Sequence, residues 1–89
     1  MQSSPSVAVI TGGSSGIGAE VARLLTGDGW RCVLVARGEE RLRTLADELD
    51  AEPEICDVAD RAAVDALAAR VSARHPRIKL LVNNAGVPG

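Results

Sequence analysis

The sequence has no tyrosine and no phenylalanine, and its single tryptophan, histidine and lysine are Trp30, His75 and Lys79. Without a phenol, the chain offers no tyrosine hydroxyl for acid–base chemistry. Two cysteines, Cys32 and Cys56, are too few for a disulfide scaffold and lack the spacing of a metal site, so no metal is expected. Basic residues are not in excess: 10 Lys and Arg stand against 12 Asp and Glu, a net charge of −2. That balance argues against a nucleic-acid binder. The longest unbroken apolar run, residues 32–36, is far too short for a membrane span. The opening Met-Gln-Ser-Ser-Pro-Ser has neither the basic segment nor the apolar stretch of a secretory signal. The expected location is therefore cytoplasmic, with Cys32 and Cys56 reduced and buried.

What is present suits one small domain. The chain has 89 residues, 46% hydrophobic and 25% charged, as in folded soluble proteins rather than disordered ones. At this size only ~60% of the unfolded surface is buried on folding, so stability is marginal. Residues 1–6 read as a flexible N-terminal tail. Val-Ala-Val-Ile at 7–10 is a strand buried on both faces. Ile17, Val21, Leu24 and Leu25 then fall on one helical stripe, ended by Gly27-Asp28-Gly29. Residues 32–36 form a second apolar strand. Leu42, Leu45, Ala46 and Leu49 give a second helical stripe, and Pro53 bars its continuation. Residues 54–56 are a short third strand. Asp60 caps a third helix with the stripe Val64, Leu67, Ala68 and Val71, closed by His75-Pro76. Residues 78–82 are a fourth strand, followed by an Asn83-Asn84-Ala85-Gly86 turn.

Strands alternating with amphipathic helices, βαβαβαβ, imply an α/β fold: a parallel sheet with right-handed crossovers. The expected strand order is 3-2-1-4, with helices on both faces. Such a sheet binds ligands at the carboxyl ends of its strands, at the switch point between strands 1 and 4.

The turn after strand 1 is Thr11-Gly12-Gly13-Ser14-Ser15-Gly16-Ile17-Gly18. Gly12 permits a tight exit from the strand. Gly16 removes a side chain where a pyrophosphate approaches, and Gly18 lets helix and strand pack closely. Gly13 and Gly18 have the separation of a Walker A loop, but Ala19-Glu20 follows where that loop needs lysine. The fingerprint G-x-G-x-x-G also fails, because Val21 stands at its third glycine. The pattern is G-x-x-x-G-x-G, and a merely flexible connection is the plainer alternative. At the end of strand 2 stands Arg37, with no acid before Glu39. An acid there holds the ribose 2′-hydroxyl of NAD, whereas an arginine accommodates the 2′-phosphate of NADP. A solvated strand-end charge is the alternative.

Together, residues 11–18, Cys56-Asp57-Val58 and Asn83-Asn84-Ala85-Gly86 resemble the classical short-chain dehydrogenase/reductase family, in its order and spacing, over residues 7–87. The resemblance implies an NAD(P)-binding Rossmann domain spanning residues 7–89, with NADP favoured over NAD. It implies that Gly12, Ser14, Ser15, Gly16, Ile17 and Gly18 cradle phosphate and ribose, and that Arg37 holds the 2′-phosphate. It gives Asp57 the adenine amino group and Val58 a backbone and apolar contact. It gives Asn83, Asn84, Ala85 and Gly86 the lining of the adenosine ribose. The sequence departs from many NADP-dependent members at Ser15, where they carry a second basic residue.

The family's catalytic tyrosine, lysine, serine and asparagine lie beyond this turn, so no catalytic residue is assigned. Lys79 sits in a strand and cannot replace the missing lysine. The expectation is the amino-terminal third of an oxidoreductase that moves hydride between NADP(H) and a carbonyl or alcohol. The partners are then a dinucleotide and, only in a full-length form, a small-molecule substrate. Neither nucleic acid nor membrane is expected. The apolar fourth strand predicts self-association or a completing chain. A non-catalytic nucleotide-binding module and one half of a split oxidoreductase are the alternatives. His75 reads as a solvated helix cap, Trp30 as an anchor beside strand 2, and Arg41, Arg43 and Glu48 as a solvated helix face.

Overall fold

The structure is a computed structural model that describes residues 5–14 and 16–84. Three residues named for the site, Ser15, Ala85 and Gly86, and the tail residues 1–4 lie outside that range. The elements run β1 (Val7–Thr11), α1 (Gly16–Gly27), β2 (Arg31–Ala36), α2 (Glu39–Leu49), β3 (Glu52–Ile55), α3 (Arg61–Arg74) and β4 (Ile78–Asn83). All strands are parallel and lie in the order β3-β2-β1-β4. This is the expected order, with the switch point between β1 and β4.

The pleat splits the core in two. Ala8, Ile10, Cys32 and Leu34 point to the face covered by α1 and α2 and meet Ala19, Ala22, Leu42, Leu45 and Ala46. Val7, Val9, Val33 and Val35 point to the other face and meet Cys56 with Leu67 and Val71 of α3. Each large aliphatic side chain so buried contributes ~1.5–3 kcal/mol. Two helices thus cover one face of the sheet, and one helix covers the other.

The α1 face differs from the sequence expectation. Ile17 and Leu24 are 72% and 74% exposed, while Gly18, Ala19 and Ala22 are buried. The cause is the approach of Gly18 to the glycine turn: a Cβ built there would overlap the Gly12 carbonyl. Such contact is possible only if the small residues of the helix face the sheet, which turns the aliphatic stripe outward. Val21 and Leu25 remain half-buried against the core.

The α3 stripe is also narrower than expected: Leu67 and Val71 are buried and Val64 is half-buried, but Ala68 is exposed. Asp60 caps that helix as expected, its carboxylate accepting the backbone N–H groups of Ala62 and Ala63. The third strand begins two residues earlier than the sequence suggested and includes Pro53, opposite Leu34. Proline is tolerated there because β3 is an edge strand, with no neighbour on its outer side requiring a donor. Cys56 lies just past the strand, yet its N–H still reaches the Ala36 carbonyl at 3.0 Å.

His75 is not solvated. Its Nε2 lies 2.9 and 3.0 Å from the two carboxylate oxygens of Glu52, with the His75 side chain 16% exposed. Glu52 also accepts from Arg31 of β2 at 2.8 Å and from Arg74 of α3 at 3.1 Å. Glu54 accepts from Arg70 at 2.8 Å and Arg74 at 2.9 Å. The cluster clasps β3 to β2 and α3. Burial raises the Glu52 carboxyl, but hydrogen bonds from His75, Arg31 and Arg74 outweigh it and hold the pKa below the ordinary 4.5. Burial likewise raises Glu54, and its bonds from Arg70 and Arg74 again bring it below 4.5. Burial pushes both thiols, Cys32 and Cys56, up.

Candidate functional site

The carboxyl ends of the four strands lie side by side, as parallel pairing requires. Thr11 is in register with Val35 on one side and Asn83 on the other, and Ala36 with Ile55. Across that edge the order is therefore Asp57, Arg37, the glycine turn, then Asn83 and Asn84.

The glycine turn is fixed from both sides. The N–H groups of Gly12 and Gly13 donate to the Val35 carbonyl at 2.7 and 3.2 Å. Asn84 donates through Nδ2 to the Gly12 carbonyl at 3.4 Å, and through its backbone N–H to Thr11 Oγ1 at 3.0 Å. Thr11 Oγ1 in turn lies 3.0 Å from Asn83 Oδ1 and 3.3 Å from the Val82 carbonyl, both acceptors for its single proton. Thr11 is a residue that sequence reasoning left out of the site. A hydroxyl at the last position of a buried strand, next to a glycine pair, was the available signal.

Gly16 opens α1 in the left-handed region, φ +59°, and a Cβ added there would meet nothing within 4 Å. The space before the helix is thus open to an incoming group. The first-turn N–H groups have no carbonyl four residues earlier in the helix and carry the positive end of its dipole. No acidic side chain in that turn opposes an anion. The donor set and the open approach fit a pyrophosphate.

Arg37 follows β2 directly, is exposed, and has no ion pair among the described residues. Gly38 behind it starts α2 without a side-chain cap. Asp57 is held by its own turn: its Oδ1 accepts the Ala59 N–H at 3.0 Å and its carbonyl the Asp60 N–H at 2.9 Å. Val58 lines an apolar groove with Val9, Thr11, Val64, Leu67 and Leu81. Ser14 lies at the mouth of clefts between α1 and α2. The described site residues therefore gather on one edge. Ile17 belongs to that edge through its backbone; its side chain projects outward.

Among the described residues, no group of His, Cys, Asp or Glu is arranged to hold a metal, and no helix is long and apolar enough to cross a membrane.

The sequence matches the short chain dehydrogenase family over residues 6–89. A solved structure of an actinorhodin polyketide ketoreductase variant with NADPH superposes with a TM-score of 0.87 at 46% identity, covering 96% of this chain and 34% of that one. A metagenomic short-chain oxidoreductase in complex with NADP gives 0.87 at 47% identity, covering 92% and 39%. The (+)-neomenthol dehydrogenase of Arabidopsis thaliana is 38% identical over 97 aligned residues, 99% of this chain and 33% of its own length. The chain spans about a third of the curated relatives that it matches, 34%, 32% and 33% of the first three.

Proposed function

The chain belongs to the short-chain dehydrogenase family, and on that premise we propose that it forms the NADP-binding portion of a reductase of the family. One observation carries the reading: an open, left-handed Gly16 heads α1 after β1, and at the end of β2, the strand paired with β1, Arg37 is exposed and has no ion pair among the described residues. Gly12, Ser14, Ser15, Gly16, Ile17 and Gly18 hold the pyrophosphate and ribose, and Arg37 the 2′-phosphate. Asp57 accepts the adenine amino group, Val58 packs on the base, and Asn83, Asn84, Ala85 and Gly86 border the adenosine ribose. Bound NADPH supplies a hydride to a carbonyl carbon, and its oxidised form accepts one from an alcohol carbon. This chain contributes binding and orientation to that chemistry, and no tyrosine proton donor.

Two tests follow. Arg37→Ala should weaken NADP about 10- to 100-fold and NAD little, by calorimetric titration, since a hydrogen bond to a charged group contributes ~1.5–3 kcal/mol. Equal losses for both would refute the assignment. The chain alone should also oxidise no NADPH at 340 nm against aldehydes, ketones or quinones, because its acid–base group is missing.

The proposed partners are a dinucleotide, a small-molecule substrate in a longer form, and either a second copy or a completing chain along β4. The proposed location is the cytoplasm, which suits two buried, unpaired thiols. The second reading is a binding module without turnover. A supplied segment with the remaining two-thirds of a relative separates them: restored NADPH oxidation selects the reductase, and binding without turnover selects the module.

A further inference from the structure

We propose that Arg41 is a second ligand for the cofactor 2′-phosphate, sharing it with Arg37 across the mouth of the glycine turn; the inference rests on the NADP reading above. Arg41 is the third residue of α2, behind Glu39 and Glu40. A cation in a helix's first turn faces the positive end of the dipole and is disfavoured. Among the described residues no ion pair offsets the misfit. Nearby Arg23 donates to Glu20 at 3.2 Å and approaches Glu48 at 3.5 Å, and Arg43 pairs with Glu39 at 2.9 Å. Arg41, like Arg37, has no such partner among the described residues. A side chain that breaks a local rule without an internal contact to compensate marks a place where function sets the residue.

Its position supplies the rest. Arg41 and Ser14 together line both clefts between α1 and α2, one passing Gly16 and Ile17, the other passing Thr44 and Leu45. The cation therefore stands beside the glycine turn, while Arg37 leaves the end of the neighbouring strand. A phosphate monoester carries about −1.5 to −2 charges at neutral pH, so a single guanidinium leaves part of it unbalanced. A second forked donor completes the balance. Glu40 and Glu48 line one of the same clefts and Glu20 the other; Arg23 engages Glu20 and Glu48, and Glu40 is left to repel an anion, which makes the second cation more consequential.

The test is calorimetric titration, with adenosine 2′,5′-bisphosphate and with AMP, of the chain completed by the remaining two-thirds of a relative and shown to be folded by circular dichroism. Arg41→Gln should weaken the bisphosphate about tenfold and AMP less than about twofold, with Arg41→Lys falling between. Arg43→Gln, whose parent side chain is engaged by Glu39, should change neither. The salt dependence of bisphosphate binding should become shallower in Arg41→Gln, a change that loss of helix structure alone would not confine to one nucleotide. Unchanged bisphosphate affinity in Arg41→Gln, beside a selective loss in Arg37→Gln, overturns this inference and leaves the NADP reading standing. Equal wild-type affinity for the two nucleotides, or none for either, overturns both.

Discussion

β2 and β4 are both six-residue parallel strands, Arg-Cys-Val-Leu-Val-Ala and Ile-Lys-Leu-Leu-Val-Asn, and they flank the same strand, β1. Their fates are opposite. Cys32, Val33, Leu34 and Val35 are all 0% exposed, while Leu81 is 66% exposed and only Val82 in β4 is even half-buried. The difference lies in the surroundings. β2 has a strand on each side and helices above and below. Among the described residues β4 pairs with β1 alone, Val82 packs on the α1 side, and an apolar groove lies open between Ile78 and Leu81 of β4 and Val64, Leu67 and Val71 of α3. An apolar run written for the interior is thus satisfied in one place and unsatisfied in another.

The sharpest way to test that comparison is a matched pair of truncations. Leu34→Ala should cost ~2–5 kcal/mol, enough to unfold a domain this small, whereas Leu81→Ala should cost less than ~1 kcal/mol. Urea denaturation followed by circular dichroism reads both, and equal costs would mean that β4 is covered after all. The second expectation concerns association. The wild-type chain should self-associate at micromolar concentration through its bare β4 edge, and a paired Leu80→Lys, Leu81→Lys variant should shift light scattering toward the monomer. A monomeric wild type with strong amide-exchange protection across residues 78–83 would show that the edge needs no cover.

The third expectation probes the opposite, finished edge. Glu52 and Glu54 titrate below 4.5 in the folded chain, so the stability they contribute is complete above that pH. It is lost as pH falls through the lowered folded values, because the unfolded chain then binds more protons. Acid titration of the unfolding midpoint should show a decline below about pH 4.5 that is blunted in a Glu52→Gln, Glu54→Gln variant. The smallest effect is expected at Asp50, which ends α2 at φ 54° with Ala51 N–H donating back to the Ala46 carbonyl. Asp50→Gly should stabilise by ~0.5–1 kcal/mol in the same denaturation assay, since glycine adopts that conformation without a Cβ penalty.

Period and punctuation made the element order legible, and the crossover logic of parallel strands made the 3-2-1-4 sheet legible. The strand-end motifs told where the site would gather. What stayed hidden depended on contacts distant in sequence. The hydrophobic stripe Ile17-Val21-Leu24-Leu25 looked like a core face because it follows the helical period. The contact of Gly18 with Gly12 decided the rotation of α1 instead. His75 and Glu52 lie 23 positions apart, so nothing in either neighbourhood announced their pairing. Pro53 follows the end of α2 as expected, but its place inside β3 depends on β3 being an edge. Arg41 is exposed, as its helix face suggested, and only the fold shows that it shares a cleft with Ser14.

The hydrogen bonds from Asn84 to Gly12 and Thr11 have an energetic consequence. They make the least covered strand and the turn proposed to hold a phosphate parts of one cooperative unit. A nucleotide that orders the turn should then slow amide exchange in β4, although β4 need not touch it. By reciprocity, anything that covers β4 should tighten the nucleotide by the same factor. The exposed β4 edge and the proposed ligand turn should then each be measurable through the other.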